Sequence, residues 1–309
     1  MTSFRLSRED YAIGIICALF EEKAAVEAML DDRHKAQNQK PGDTNSYTFG
    51  KIGEHNVVIA CLPGGHQGKA AAATVAIHMM HSYPIKLGLM VGIGGGVPSQ
   101  VPSIRLGDVA VSFPVGTHGG VIQYDLGKME SDGFRRKGHL DKPPKPLLSA
   151  VTSLRTKHEM DEPDFPGYLS AITNRPKMAE KYGFQGSEND KLFDNNNQSV
   201  IRDPRGNKPQ VFYGTIGSGD LVMKDGEYRD LKAADDKIIC FEMEAAGLMN
   251  DFPCLVIRGI SDYADSHKND RWQPYAAATA AAYAKELLSA ISAEEVEELR
   301  PASTIAIVN

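Results

Sequence analysis

The feature that most constrains this chain is an alternation. Seven short aliphatic runs, at 12–17, 57–62, 87–92, 108–113, 211–216, 238–241 and 255–260, recur with helical patterns at 21–30, 68–81, 243–251 and 274–291 among them. Runs that are apolar throughout fit strands buried on both faces, and parallel strands need crossover connections that cover those faces. The expectation is an α/β fold, a single domain with a mixed, largely parallel central sheet flanked by helices; 309 residues can form one such domain. In sheets of this kind ligands bind beyond the carboxyl ends of the strands. Candidate functional residues are therefore sought there.

One stretch breaks the rhythm. From about 159 to 209, Pro, Asn, Asp and Gly gather, as in Asp194-Asn195-Asn196-Asn197 and Asp203-Pro204-Arg205-Gly206-Asn207. It reads as a loop-rich insertion with one short helix near 176–182, inside a single catalytic domain spanning 1–309, because both flanks contribute strands of one kind. Segment 294–309 reads as a peripheral tail. The run 11–20 follows Arg5 and Arg8 but ends in Glu21-Glu22-Lys23 without a small-residue cleavage site, which fits a buried strand better than a signal segment. No apolar run approaches the roughly 20 residues of a membrane helix.

Charge excludes further classes. With 34 Lys+Arg against 40 Asp+Glu, a net charge of -6, the chain lacks a basic field that would gather a nucleic acid polymer or a membrane surface. Cys17, Cys61, Cys240 and Cys254 lie far apart in apolar runs, so they read as buried thiols suited to a cytoplasmic location.

Familiar motifs fail on inspection. Gly92-Ile93-Gly94-Gly95-Gly96-Val97 has Val97 where a dinucleotide fingerprint needs its third glycine, and Gly68-Lys69 is preceded by Pro63 and followed by Ala70 where a P-loop needs Gly and Ser/Thr. These glycines fit either tight turns or close backbone approach to a small ligand. The nine His are scattered and His158-Glu159 lacks a zincin's second His, so no metal and no cofactor are expected. What remains is carboxylates at strand ends. Glu21 and Glu22 close the first run, Glu242 and Glu244 bracket Met243 after the sixth, and Asp262 follows the seventh in Ile260-Ser261-Asp262. Singly each fits a first helical turn or an N-cap. Three such ends on one sheet point to a site, because buried carboxylates are costly without partners.

At these residues the chain resembles the purine nucleoside phosphorylase and methylthioadenosine nucleosidase superfamily. The match runs through Gly14-Ile15-Ile16-Cys17-Ala18-Leu19-Phe20-Glu21-Glu22, Gly92 to Gly96 with Leu106-Gly107-Asp108-Val109, Ser218-Gly219-Asp220, Phe241-Glu242-Met243-Glu244-Ala245-Ala246 and Arg258-Gly259-Ile260-Ser261-Asp262. In detail it looks most like a fungal branch whose domains occur alone or at the N-terminus of receptor-like proteins. The resemblance implies N-glycosidic cleavage through an oxocarbenium-like sugar. It implies Asp262 as the acid toward purine N7, steadied by Ser261, and an acid in that role must hold a proton near neutral pH. It implies Met243 packing on the ribose, Glu244 accepting from its 2' and 3' hydroxyls with Glu242 assisting, and Glu22 activating water. Leu221, Val222 and Met223 are implied to lie against the base, with Val222 where the family usually has a stacking Phe.

Phosphorylases of the superfamily carry an Arg in the first loop and an Arg-x-Gly-Ser run at the glycine loop. Here those stretches read Leu19-Phe20-Glu21-Glu22 and Met90-Val91-Gly92-Ile93. A phosphate dianion needs cations and hydroxyls, and carboxylates repel it, so water is the expected nucleophile. The expectation is a hydrolase, a purine nucleosidase acting on adenosine, inosine or guanosine. Its partners are a small-molecule purine nucleoside and water, with the homo-oligomer that the resemblance implies. The alternatives are a phosphorylase, a nucleosidase of ATP or another nucleotide whose phosphates meet Lys128, Arg135, Arg136 and Lys137, and a non-catalytic nucleoside-binding module. Gln123-Tyr124-Asp125 either reads the substrate or only ends a strand.

Overall fold

The first apolar run forms β1 (Ile13–Cys17), buried at every position. The computed structural model describes residues 6–131, 133–194 and 196–305; Arg5, Asn195 and the last four residues of the expected tail lie outside them. The remaining strands are β2 (Asp32–Arg33), β3 (Tyr47–Ile52), β4 (His55–Cys61), β5 (Leu87–Gly96), β6 (Val109–Ser112), β7 (Val121–Gln123), β8 (Gly127–Glu130), β9 (Gly133–Arg136), β10 (Val211–Ser218), β11 (Ile238–Glu242) and β12 (Cys254–Asp262). All seven expected runs are strands. The large sheet has the order β11-β10-β6-β12-β5-β1-β4-β3-β2, while β8 and β9 form a separate hairpin.

The sheet is mixed. Strand β1 runs parallel to β4 and β5, β5 to β12, and β10 to β6 and β11, whereas β12–β6 and β3–β4 are antiparallel. The sheet also curls, since β11 returns to pair with β5, Cys240 opposite Gly96 and Phe241 opposite Gly95. This curl brings the end of β11 against the ends of β5 and β12.

The helices are α1 (Phe20–Ala28), α2 (Lys69–Ser82), α3 (Lys145–Met160), α4 (Phe165–Tyr168), α5 (Ser170–Thr173), α6 (Pro176–Tyr182), α7 (Gly226–Ala234), α8 (Gln273–Ser289), α9 (Ala293–Glu297) and α10 (Ala302–Ile305). Helices α1, α3 and α8 pack on one face around Ile13, Ile15, Leu89 and Ile257, and α2 packs on the other around Ile16, Val58 and Val256. The small residues of α8 permit close approach: a Cβ on Gly259 of β12 would stand 1.8 Å from the Ala276 carbonyl oxygen.

Two local expectations change. The glycines at 92–96 belong to strand β5 rather than to a turn. The pattern at 243–251 yields only one 3-10 turn, Ala245–Gly247, at whose start the Glu242 carboxylate takes the N–H groups of Glu244 and Ala245, and Ser218 Oγ takes that of Ala246. Among the described residues no helix is long and apolar enough to cross a membrane.

Candidate active site

Glu22 begins as a capping residue. It sits in the first turn of α1 and its Oε2 accepts from the N–H groups of Ala18 and Leu19 at 2.6 and 2.9 Å. Its Oε1 reaches across to the N–H of Ile93 in β5 at 2.8 Å, tying two neighbouring strand ends together. The helix-dipole account of this glutamate is therefore correct but incomplete, because the carboxylate also lines a cleft.

That cleft encloses about 780 Å³ of empty space, partly open to solvent. Its walls include Glu22 from α1, Glu242, Met243 and Glu244 from the end of β11, Ser261 and Asp262 from β12, and Val222 and Met223 from the loop after β10. These eight residues singled out in the sequence thus meet around one space, joined by Leu221, whereas Glu21 does not line it and pairs with Lys181 at 3.2 Å. Gln123-Tyr124-Asp125 stands behind the loop after β10: Tyr124 Oη donates to the Leu221 carbonyl at 3.0 Å, and Asp125 accepts from the Asp220 N–H and from Lys69. The basic stretch does not line the cleft, and Arg136 pairs instead with Asp236 at 2.7 Å.

Arg258 organises the carboxylates. It is fully buried in β12, hydrogen-bonds Glu242 through Nη2, and lies 3.4 Å from Glu244 and 4.0 Å from Glu22. A buried arginine must be paired, and an arginine inside the apolar run Leu255–Ile260 was the sequence signal for such a network. Its function went unread there. Glu242 is occupied by Arg258 and the turn, whereas Glu244 Oε1 accepts only a longer 3.3 Å bond from Gly68 N–H and faces the cleft.

Burial raises the pKa of Glu22, opposed by Arg258 and by its three backbone donors. Burial pushes Glu244 up to about 7 despite Arg258, with Glu242 and Glu22 adding to the rise. Two carboxyls beside one guanidinium are thus better proton acceptors than exposed carboxylates are.

The glycines of β5 make room for these groups. A Cβ on Gly92 would lie 2.3 Å from Arg258 Nη1 and 2.5 Å from Glu22 Oε1, and one on Gly95 would lie 2.8 Å from Asp262 Oδ1. The close approach that these glycines permit is to the protein's own side chains. Asp262 is 4% exposed; its Oδ1 accepts from Ala264 N–H at 2.9 Å, and its Oδ2 from Ser261 Oγ at 2.8 Å and from Lys268 at 3.1 Å. Lys268 and Phe241 also line the cleft, and neither was singled out from the sequence. Phe241 is held edge-to-face on Tyr124 at 5.2 Å and supplies an aromatic wall.

Comparison with known proteins agrees with this architecture. A protein of Hyaloscypha variabilis, described as a nucleotide-binding leucine-rich repeat (NLR)-like protein, is 46% identical over 311 residues, covering 96% of this chain and 31% of that protein. The chain thus spans about a third of that relative's length. A 5'-methylthioadenosine/S-adenosylhomocysteine nucleosidase of Mycobacterium bovis is 23% identical over 89% of this chain and 95% of its own. The solved futalosine hydrolase of Helicobacter pylori shares the fold with a TM-score of 0.61 at 18% identity, covering 90% of this chain and 97% of that one. The family model described as the phosphorylase superfamily matches residues 12–292, from the first strand through the last long helix, and the chain belongs to that superfamily.

Proposed function

We propose that the protein is a purine nucleosidase, hydrolysing the N-glycosidic bond of a nucleoside such as adenosine, inosine or guanosine to free base and ribose. The observation that carries this reading is the charge of the cleft wall: four carboxylates, Glu22, Glu242, Glu244 and Asp262, against one lining cation, Lys268, itself paired with Asp262. Such a wall suits a cationic sugar and repels a phosphate dianion, which favours water as the nucleophile. The M. bovis nucleosidase and the H. pylori futalosine hydrolase, by their names, act in the same general way.

In this mechanism Glu244 accepts hydrogen bonds from the ribose hydroxyls and Met243 packs on the sugar. Glu22 retains lone pairs beyond its three backbone bonds and takes a proton from water as it attacks C1'. Asp262 delivers a proton to purine N7 as the C1'–N9 bond breaks. Each such transfer is worth roughly 10²–10⁴ in rate. Association into a homo-oligomer belongs to the same proposal and is measured by light scattering against the 33.6 kDa chain.

One relative favours a second reading. The ATP nucleosidase Cap17 of Escherichia coli is 36% identical over 77 residues, 23% of this chain and 15% of that protein, which makes ATP a second substrate candidate. One experiment tests both: chromatographic detection of free base from adenosine, inosine, guanosine, methylthioadenosine and ATP, each with and without phosphate. Base release without phosphate is expected. Strict dependence on phosphate overturns hydrolysis, and absence of base under every condition favours a binding module.

A further inference from the structure

Lys268 occupies a place that the proposed chemistry does not explain. Its side chain, 26% exposed, reaches back from the loop after β12 to stand 3.1 Å from Oδ2 of Asp262, a carboxylate whose side chain is 3% exposed. The loop is shaped for this return. Ala264 adopts a φ of 53°, a left-handed conformation costly for a residue with a Cβ, and there its N–H meets Asp262 Oδ1 while the chain turns back. The Lys268 N–H then closes the turn on the Asp265 carbonyl at 3.2 Å.

An acid that forms an ion pair rests as a carboxylate. The proton it is to deliver must then come from its partner, and an ammonium is the only donor of that pair.

We propose that Lys268 is a positioning residue that stores the proton Asp262 delivers. As the C1'–N9 bond breaks and its electron pair enters the purine, a proton passes from Lys268 Nζ to Asp262 Oδ2 and on from Oδ2 to N7, so that Asp262 ends as the carboxylate it began as. Lys268 is left as the neutral amine. Water attacking C1' gives its own proton to Glu22, and solvent restores Lys268 after the base departs. This inference rests on the assignment of Asp262 as the acid.

The other charges around Lys268 define its field. Asp265, His267, Asp270 and Arg271 share its loop and line with it a second cavity that also contains Lys191 and adjoins the cleft at Ser261 and Asp262. Across the cleft stand Glu22 of α1 and Glu242 and Glu244 at the end of β11, and Arg258 lies behind them. Asp262 is the one carboxylate within 4 Å of Nζ among the ion pairs of the described residues.

The test is the pH dependence of kcat and KM for base release by the wild-type protein, Lys268→Met, Lys268→Arg and Asp262→Asn, with circular dichroism to establish folding. Lys268→Met is expected to lose about 100-fold or more in kcat at pH 8 relative to the wild-type protein, with KM changed little, and that deficit relative to wild type is expected to shrink as pH falls and solvent protons replace the missing ammonium. Lys268→Arg keeps the charge but cannot release a proton, so it is expected to stay as slow as Lys268→Met at pH 8. An equal loss at every pH, or restoration by arginine, overturns the proton store. Full activity of Asp262→Asn instead overturns the acid assignment beneath it, so the two failures are distinguishable.

Discussion

Asp262→Asn preserves the size of the acid and a hydrogen-bond acceptor for the Ala264 N–H, but it carries no transferable carboxyl proton. Base release is expected to fall at least 100-fold while calorimetric binding of the nucleoside persists; turnover at the wild-type rate would remove Asp262 as the acid. Glu22→Gln tests the opposite side of the sugar. The base works only when ionised, and burial raises its pKa above the ordinary 4.5, so the wild-type kcat is expected to climb with pH through that raised value. In Glu22→Gln the climb disappears and kcat drops by roughly 10²–10⁴, read from initial rates between pH 4 and 8. At this scale the sequence was legible because each carboxylate directly follows an apolar run. Arg258 was written in the same run but not understood, since its three partners come from other segments. Lys268 left no signal at all, because only the turn through Ala264 carries it back to Asp262.

Among elements, β5 and β12 carry the site and the core together. Gly92→Ala and Gly259→Ala separate these duties. The first places a methyl 2.3 Å from Arg258 Nη1, and the second places one 1.8 Å from the Ala276 backbone oxygen. Gly259→Ala is expected to cost about 1–3 kcal/mol or more in chemical denaturation, because α8 must lift from β12. Gly92→Ala should cost activity out of proportion to stability, since the groups it displaces are Arg258 and Glu22; comparable activity in both folded variants would deny the glycine its place in the site. The strands were readable because apolar runs of this kind have few alternatives. Helix α3 and helix α7 were not, their apolar faces being narrow among charged residues, as in Lys145–Met160 with buried Leu147, Ala150, Val151 and Leu154 alone. The pattern at 243–251 gave a helix where the structure has only the turn Ala245–Gly247, fastened at its start by Glu242 and Ser218 from β11 and β10.

Over the whole molecule, raised carboxyl pKa values become a stability statement. Glu22 is raised, Glu244 is pushed up to about 7 and Asp108 up to about 6, burial being the leading cause in each. Between their unfolded values and these raised ones the folded state binds more protons, so stability falls as pH rises from about 4.5 to about 7. His118, lowered by burial, opposes this over the range just below 6.5. Melts of the ligand-free protein are expected to show a lower midpoint at pH 7.5 than at pH 5.5, with each pKa unit worth about 1.4 kcal/mol; a rising midpoint would contradict the raised values. The sequence by itself determined seven of the strands, the class of fold and the carboxylates at the strand ends, since these depend on local apolar patterning and on residues adjacent to it, whereas β2, β3, β7, β8 and β9 were not read. Only the tertiary structure decided what holds those carboxylates, because the return of β11 onto β5, the burial of Arg258 among three glutamates and the approach of Lys268 to Asp262 all join residues far apart in the chain. Pairing energies between buried charges depend on distances of a few ångströms, and such distances exist only once the sheet has closed.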